Sequence, residues 1–165
     1  MHIDFKTIRT IGGKASTGFE ELVCQLAGLE PRPAGARFHR KGPGKDGGLE
    51  CFTRFADGEE YGWQAKYSWS FDGNLERSLH TSVKSALGKH PKLLRIFVCL
   101  PFDLSDPFST NETQLEAFER WRASEVAAAI YGAALQRAAF RQERCVRSKM
   151  VHEYLDPGRW DVSAV

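Results

Sequence analysis

Clustered cysteines, metal-ligand spacings and long apolar runs are all lacking in this sequence, and each absence argues against a class of protein. The four cysteines (Cys24, Cys51, Cys99 and Cys145) are far apart and form no CxxC or CxxH pair, which argues against a structural zinc site. Four histidines also lack ligand spacing and are interpreted as surface or phosphate-contact residues: His39, His80, His90 and His152. No apolar run approaches the ~20 residues that span a bilayer, and no signal-peptide pattern is present. We therefore expect a cytoplasmic protein with reduced thiols and no membrane contact.

A strong net charge and a nucleotide-binding loop are lacking as well. The net charge of +2 says little about partners, but the stretch from Arg32 to Lys45 holds five Lys/Arg residues and no acid. A local basic stretch of this kind attracts phosphate even when the net charge is small. The pairs Gly13-Lys14 and Gly44-Lys45 lack the rest of the G-x4-G-K-[ST] pattern, which argues against a P-loop.

Hydrophobic patterns along the chain predict one α/β domain, with a central mixed sheet flanked by helices in the order α-β-β-β-α-β-α. Helices are predicted over about 18–28, 73–89 and 111–122, and strands over about 36–40, 49–55, 60–68 and 93–100. This core covers about 16–122. The remainder, about 123–165, is Ala-rich and predicted to be a helical extension. It would lead to a further domain if the parent protein is longer. A short strand over 126–134 is the alternative.

A group of polar residues stands on otherwise apolar strands. Asp46 lies in a glycine-rich turn before one strand, and Glu50 lies on that strand. Gln64 and Lys66 share a face of the next strand, since side chains alternate along a strand. Carboxylate and amide oxygens suit Mg²⁺, and a nearby lysine can touch an attacking water or a scissile phosphate. The alternative is that Gln64 and Lys66 form the solvated face of an amphipathic strand.

The two strands are joined at Asp57-Gly58, a hairpin signal. Opposed residues of an antiparallel pair point to the same face of the sheet. Gln64 and Lys66 are both even-numbered, so Glu50 shares their face only if the residue opposite it is also even-numbered. Two opposed residues with even numbers are separated by an odd number of residues, so the loop must contain an odd number. We predict that Ala56 opposes Glu60 around a three-residue loop, Asp57 to Glu59, with Glu50 opposite Lys66.

Three segments, GFEELV, KDGGLE and WQAKY, resemble in their order the Mrr-like branch of the PD-(D/E)xK endonucleases, in which an amide often replaces the motif acid to give QxK. The stretch HPKLLRIFVCLPFDLSDP, with the later ETQLEAFERW, is similar to the N-terminal nuclease domains of antiviral STAND NTPases. The resemblance covers most of residues 18–121. It implies a restriction-endonuclease-like core and a Mg²⁺-dependent DNA endonuclease, with Mn²⁺ as a substitute, acting as an effector in antiviral or restriction-type defence.

The resemblance also implies site residues. Glu50 matches the strand acid, Gln64 and Lys66 match the QxK, Asp46 matches the acid before the double glycine, and Glu20 matches the helix acid. The implied metal ligands are Asp46, Glu50 and Gln64, with the main chain of Ala65 as a further oxygen. Many Mrr-like sequences carry Asp where this chain has Glu50, so the division of metal binding between Asp46 and Glu50 stays open.

Glu20 has a competing structural explanation. Thr17 and Glu20 have the spacing of a capping box, which would make Glu20 a helix-capping residue only. However, Glu20 borders the apolar face that Phe19 begins, whereas Glu21 lies with Gln25 on the polar face. Both interpretations of Glu20 stay open.

The expected partner is DNA, double-stranded by preference, bound by a homo-oligomer or by copies assembled through a larger parent protein. The predicted phosphate-binding residues are Arg37, Arg40, Lys41 and Lys45, with a solvated loop as the alternative. Two other functions compete with cleavage. One is a catalytically weak DNA-binding module, because Gln64 removes a negative charge from the metal site. The other is a partner-docking domain that uses the acidic helix from Glu112 to Glu125.

Overall fold

The fold was analysed in a computed structural model that describes residues 4–41, 47–104, 113–133 and 151–153. After a short 3₁₀ turn at Phe5–Thr7, the elements are α1 (Ala15–Leu29), β1 (Arg37–Arg40), β2 (Cys51–Arg54), β3 (Glu60–Ala65), α2 (Gly73–Lys89), β4 (Leu93–Cys99), α3 (Gln114–Ala133) and β5 (Val151–Glu153). The predicted order α-β-β-β-α-β-α is therefore confirmed from α1 to α3, and β5 follows it.

A single mixed sheet of five strands, ordered β1-β2-β3-β4-β5, forms the middle of the molecule. β3 and β4 run parallel, while every other neighbouring pair is antiparallel. α1 packs on one face of the sheet, and α2 and α3 cover the other. The predicted mixed sheet flanked by helices is thus confirmed. No helix among the described residues is both long and apolar enough to cross a membrane.

Two apolar layers enclose the sheet. The layer beneath α1 contains Phe19, Val23 and Trp63, and the layer beneath α2 and α3 contains Leu79 and Phe118. Each large side chain buried in this way contributes roughly 1.5–3 kcal/mol of stability. Because both layers cover β3, all of its residues except Tyr61 are buried. The alternative of a solvated face on β3 is therefore wrong.

The β2–β3 hairpin has the predicted odd-numbered loop. Arg54 opposes Glu60 in the ladder, and the Phe55 N–H donates to the Glu59 carbonyl at 2.8 Å. The loop therefore consists of three residues, Ala56–Gly58, one position earlier than predicted. Gly58 has a φ of 86°, which a side chain would disfavour.

This register determines which residues face Glu50. Because Cys51 opposes Trp63, continuing the ladder places Glu50 opposite Gln64 rather than opposite Lys66 as predicted. The residue opposite Glu50 is even-numbered, as predicted, so Glu50 and Gln64 lie on the same face of the sheet. The predicted alternation of β2 fails at Glu50, since Leu49 packs in the α2 layer whereas Cys51 packs in the α1 layer.

Two helix boundaries differ from the sequence prediction. α1 begins at Ala15, with Lys14 as the N-terminal cap residue, so Thr17 lies inside the helix and forms no capping box. Gly18 allows the preceding segment to pack against the helix: a β-carbon there would lie 1.9 Å from the Arg9 carbonyl oxygen. α3 continues to Ala133, so the alternative of a strand over 126–134 is wrong, and Val151–Glu153 is a strand within the predicted helical extension.

The double glycine before β2 runs against α2. Gly48 has a φ of 82°, and a β-carbon there would lie 2.1 Å from the Ser82 carbonyl oxygen and 2.5 Å from the Ala86 nitrogen. Both contacts are with helix backbone, which cannot move aside. Gly48 therefore sets the path by which the chain enters β2 and positions Glu50 two residues later.

Gly48→Ala should lower the free energy of unfolding by at least about 2 kcal/mol, because it adds left-handed strain to a backbone clash. Gly88→Ala is the matched control: Gly88 lies on α2 with open space around its α-carbon, so alanine there should be neutral or stabilise by about 0.5 kcal/mol. Urea denaturation measures both. Equal stability of the two variants would contradict the close packing at Gly48.

Candidate active site

One end of the sheet collects most of the predicted site residues that the structure describes. Lys41 follows β1, Glu50 precedes β2 and Lys66 follows β3. Because β2 is antiparallel to both β1 and β3, these three positions lie at the same end of the sheet. Main-chain hydrogen bonds fix them there: the Lys41 N–H donates to the Glu50 carbonyl at 3.0 Å, and the Lys66 N–H donates to the Cys99 carbonyl at 3.0 Å. Their positions therefore follow from the strand ladders.

Glu50 and Gln64 meet inside the protein. The Gln64 Nε2 donates to Glu50 Oε1 at 2.8 Å and to the Ala65 carbonyl at 2.9 Å. Glu50 is 7% exposed and Gln64 is 3% exposed, so the solvated-face interpretation is wrong for Gln64. A carboxylate oxygen and a main-chain oxygen thus converge on one amide nitrogen.

Burial dominates the electrostatics of Glu50. It raises the pKa of Glu50 above its ordinary value, and the negative charge of Glu20 raises this pKa further. Lys41, the hydrogen bond from Gln64 and Lys66 oppose this shift. The Lys41 Nζ lies 3.7 Å from Glu50 Oε2. Positive groups therefore surround a carboxylate whose charge is costly to bury.

Lys66 is partly buried beside the same carboxylate. Burial lowers the pKa of Lys66, while the charges of Glu50 and Glu20 act in the opposite direction and Lys41 adds to the lowering. Lys66 is therefore a partly desolvated ammonium group held close to acidic neighbours. The alternative of a solvated strand face is wrong for Lys66 as well, since it lies directly after β3 and is partly buried near Glu50 and Glu20.

Glu20 lies on the part of α1 that approaches this edge. Its charge acts on the pKa values of both Glu50 and Lys66, so it lies near both groups. The capping explanation for Glu20 is removed, because the helix begins before Thr17. Glu21 instead accepts from Gln25 at 2.8 Å and forms an ion pair with Arg40. As predicted, Glu21 lies with Gln25, outside the Glu50 group.

The oxygens at this edge suit a hard cation. Among the described residues no three His, Cys, Asp or Glu side chains come together as a metal-binding group. The available set is the Glu50 carboxylate, the Ala65 carbonyl and the Gln64 amide, whose oxygen would replace its nitrogen after a half-turn of the amide. Mg²⁺ takes such oxygens and retains several waters. Asp46 and Lys45 lie outside the described residues.

The predicted phosphate-binding residues do not form one group. Arg37 is exposed on β1, directly opposite Arg54. Arg40 forms an ion pair with Glu21, and Lys41 is drawn towards Glu50. Arg40 is exposed like Arg37 but is engaged by Glu21, so among these three residues Arg37 is the one for which no ion pair is described.

A second buried acid was missed by sequence analysis. Glu60 is 4% exposed; it accepts from Arg54 Nε at 2.7 Å and lies 2.6 Å from His90 Nδ1. The His90 ring packs edge-on against Phe52 at 4.9 Å. His90 was predicted to be a surface or phosphate-contact residue, but it is partly buried in this group. The opposite charges of Arg54 and Glu60 across the hairpin were the available signal.

Two cysteines lie directly beneath Glu50. The Cys24 Sγ donates to the Glu50 carbonyl at 3.6 Å. Cys24 and Cys51 are hydrogen-bonded to each other, and this contact together with burial raises the pKa of the Cys51 thiol. Both are free thiols in the α1 layer, as predicted for Cys24. The contact of Cys24 with Glu50 was not foreseen, because 26 residues separate the two in sequence.

Comparison of the sequence with protein-family models, curated proteins and solved structures found no match. The contacts of Glu50, Gln64 and Lys66 and the resemblance of the sequence motifs are therefore the features that bear on function.

Glu50→Gln should stabilise the fold, and more at about pH 7.5 than at about pH 4. A raised pKa means that the folded protein holds a proton that the unfolded chain releases, so stability falls as pH rises from the ordinary value of 4.5 through the raised one. Glutamine removes this loss. Urea denaturation at both pH values, without divalent cations, measures the difference.

Glu21→Gln is the matched control. The hydrogen bonds from Arg40 and Gln25 lower the pKa of Glu21, so its contribution has the opposite sign and is lost as pH falls. This variant should be less stable than the wild type at about pH 7.5 and should approach it at low pH. Parallel pH profiles for the two variants would contradict the assigned environment of Glu50.

Proposed function

We propose that this chain is a Mg²⁺-dependent DNA endonuclease with a restriction-endonuclease-like, Mrr-like core, acting in the cytoplasm as an effector of antiviral or restriction-type defence. One observation carries the proposal: a buried carboxylate oxygen and a main-chain carbonyl converge on the Gln64 side chain at 2.8 and 2.9 Å, directly beside Lys66. These residues are the ones that the QxK motif places together.

Glu50, the Ala65 carbonyl and Gln64 would hold the cation, with Asp46 as a further ligand. A bound Mg²⁺ supplies Lewis acidity to a phosphoryl oxygen and lowers the pKa of a coordinated water. The protein supplies the geometry. The strand ladders fix Glu50 and Ala65 before any ligand arrives, so little ordering is needed when DNA binds.

Lys66 would act at the scissile phosphate. A water oxygen would attack phosphorus and release a proton to solvent. The bond from phosphorus to the 3′ oxygen would break, with that oxygen taking a proton from solvent, and negative charge would build on the phosphoryl oxygens in between. The Lys66 ammonium donates to one of these oxygens and stabilises that charge. Its partial burial strengthens the effect, because a charge interaction is larger where water is excluded. Glu20, close to Lys66, would hold the ammonium in place.

DNA recognition would depend on the backbone. The exposed Arg37 at the start of β1 offers one phosphate contact on the strand that ends next to Lys41. Contacts of this kind fix position without reading sequence. Cutting both strands of a duplex would take two copies, assembled as a homo-oligomer or through a larger parent protein.

A catalytically weak DNA-binding module is the second candidate. It is favoured by the orientation of Gln64, whose nitrogen rather than its oxygen meets Glu50, and by the neutralising charge of Lys41. The partner-docking alternative is weaker. Glu116 forms a capping box with Thr113, and Glu76 on α2 lies 3.8 Å from Arg120 of α3. Charged groups along α3 are thus partly engaged within the fold.

Lys66→Ala should lower the cleavage rate of plasmid DNA by about 10²–10³ while the chain stays folded, because it removes a group that stabilises the transition state. Glu50→Gln should also inactivate, but excess Mg²⁺ should partly restore it and should not restore Lys66→Ala. Lys84→Ala, an exposed change on α2, is the charge-matched control and should cut at the wild-type rate. Reactions with EDTA give the metal-free baseline. Wild-type cleavage by Lys66→Ala would overturn the assignment.

Arg37→Ala should weaken DNA binding equally at all sequences and reduce the salt slope of binding by about one unit, as expected for one lost phosphate contact. Arg40→Ala should reduce the slope by less, because Glu21 already neutralises Arg40. Fluorescence anisotropy at several salt concentrations measures both slopes. An unchanged slope for Arg37→Ala would show that β1 does not touch the DNA backbone.

A further inference from the structure

Lys41 is attached to Glu50 at two points. Its main-chain N–H donates to the Glu50 carbonyl at 3.0 Å, and its ammonium lies 3.7 Å from Glu50 Oε2. The Lys41 side chain is 28% exposed, against 50% for that of Arg40 one residue earlier. Lys41 is therefore an exposed residue at the border of the site whose side chain lies against Glu50, and it does not belong only to the basic surface with which the sequence groups it.

Both oxygens of the Glu50 carboxylate face nitrogen groups. Gln64 occupies Oε1 at 2.8 Å, and Lys41 approaches Oε2. A divalent cation that binds Glu50 meets the positive charge of Lys41 at close range. Two positive charges on one carboxylate repel each other, and the burial of Glu50 reduces the solvent screening on its side of the contact.

We propose that Lys41 is a positioning residue that serves as the built-in counter-cation of Glu50, and that divalent-cation binding displaces its ammonium onto a DNA phosphate. This inference rests on the proposed function, since it concerns the same carboxylate. The displacement of the Lys41 ammonium makes the binding of metal and the binding of DNA mutually dependent. By linkage, each ligand then strengthens the other to the same degree.

The position of Lys41 suits this exchange. Lysine carries its charge on a flexible four-carbon stem, so the ammonium can move several ångströms while the main chain stays fixed. The main-chain bond to Glu50 keeps the residue at the end of β1, next to the exposed arginines of that strand. A released ammonium would therefore enter the surface that meets the DNA backbone.

The test is calorimetric titration of the whole chain with Mg²⁺ alone, without DNA. Lys41→Met should bind Mg²⁺ about fivefold to tenfold more tightly than the wild type, the scale of a modest coupling between two sites. Lys41→Arg keeps the charge and should bind as the wild type does. Arg37→Met removes the same charge from the same strand, farther from Glu50, and should also leave Mg²⁺ affinity unchanged.

A second arm measures duplex affinity in Ca²⁺ and in EDTA, with Ca²⁺ replacing Mg²⁺ to slow cutting. The factor by which Ca²⁺ raises duplex affinity over that in EDTA should be about fivefold smaller in Lys41→Met than in the wild type. Arg37→Met should bind DNA more weakly in both conditions, with the same factor as the wild type. Equal or weaker Mg²⁺ affinity in Lys41→Met would overturn the inference and leave the proposed nuclease intact. A wild type that binds no divalent cation at all would overturn both.

Discussion

The buried Glu50 carboxylate is the constraint around which the site is arranged. A charge taken out of water costs several kcal/mol unless it is paired and hydrogen-bonded. The chain meets this cost with the Gln64 amide and the Lys66 ammonium group at the end of β3 and with the Lys41 ammonium group after β1. The strand register, the path of the double glycine and the approach of α1 can all be understood as conditions for bringing these groups to one carboxylate.

The order of elements and the parity of the hairpin could be predicted from sequence, because both follow from the period of side chains and from turn residues. The burial of β3 could not, since alternation along one strand does not show whether helices cover its second face. Capping signals were equally ambiguous. Thr17 and Glu20 have the spacing but lie inside α1, whereas Thr113 and Glu116, with the same spacing, form a true capping box.

The site was predictable only where it depends on local pattern. Glu50 and Gln64 were expected on one side of the sheet, and their hydrogen bond follows from that parity. The ion pair of Lys41 with Glu50 and the contact of Cys24 with Cys51 join different elements. Such contacts depend on how strand ends and helices meet in three dimensions, which single-sequence patterns do not specify. The resemblance identified the residue types, and the packing determined their partners.

The placement of β1 has a consequence for solubility. β1 is the outermost strand at its side of the sheet, and an open strand edge is a template for pairing with other chains. Its four residues begin and end with the arginines Arg37 and Arg40. A short strand with charged ends resists edge-to-edge association. Arg37 and Arg40 thus keep the sheet from adding foreign strands, whatever else they bind, so neutralising both arginines would leave β1 open to pairing and aggregation.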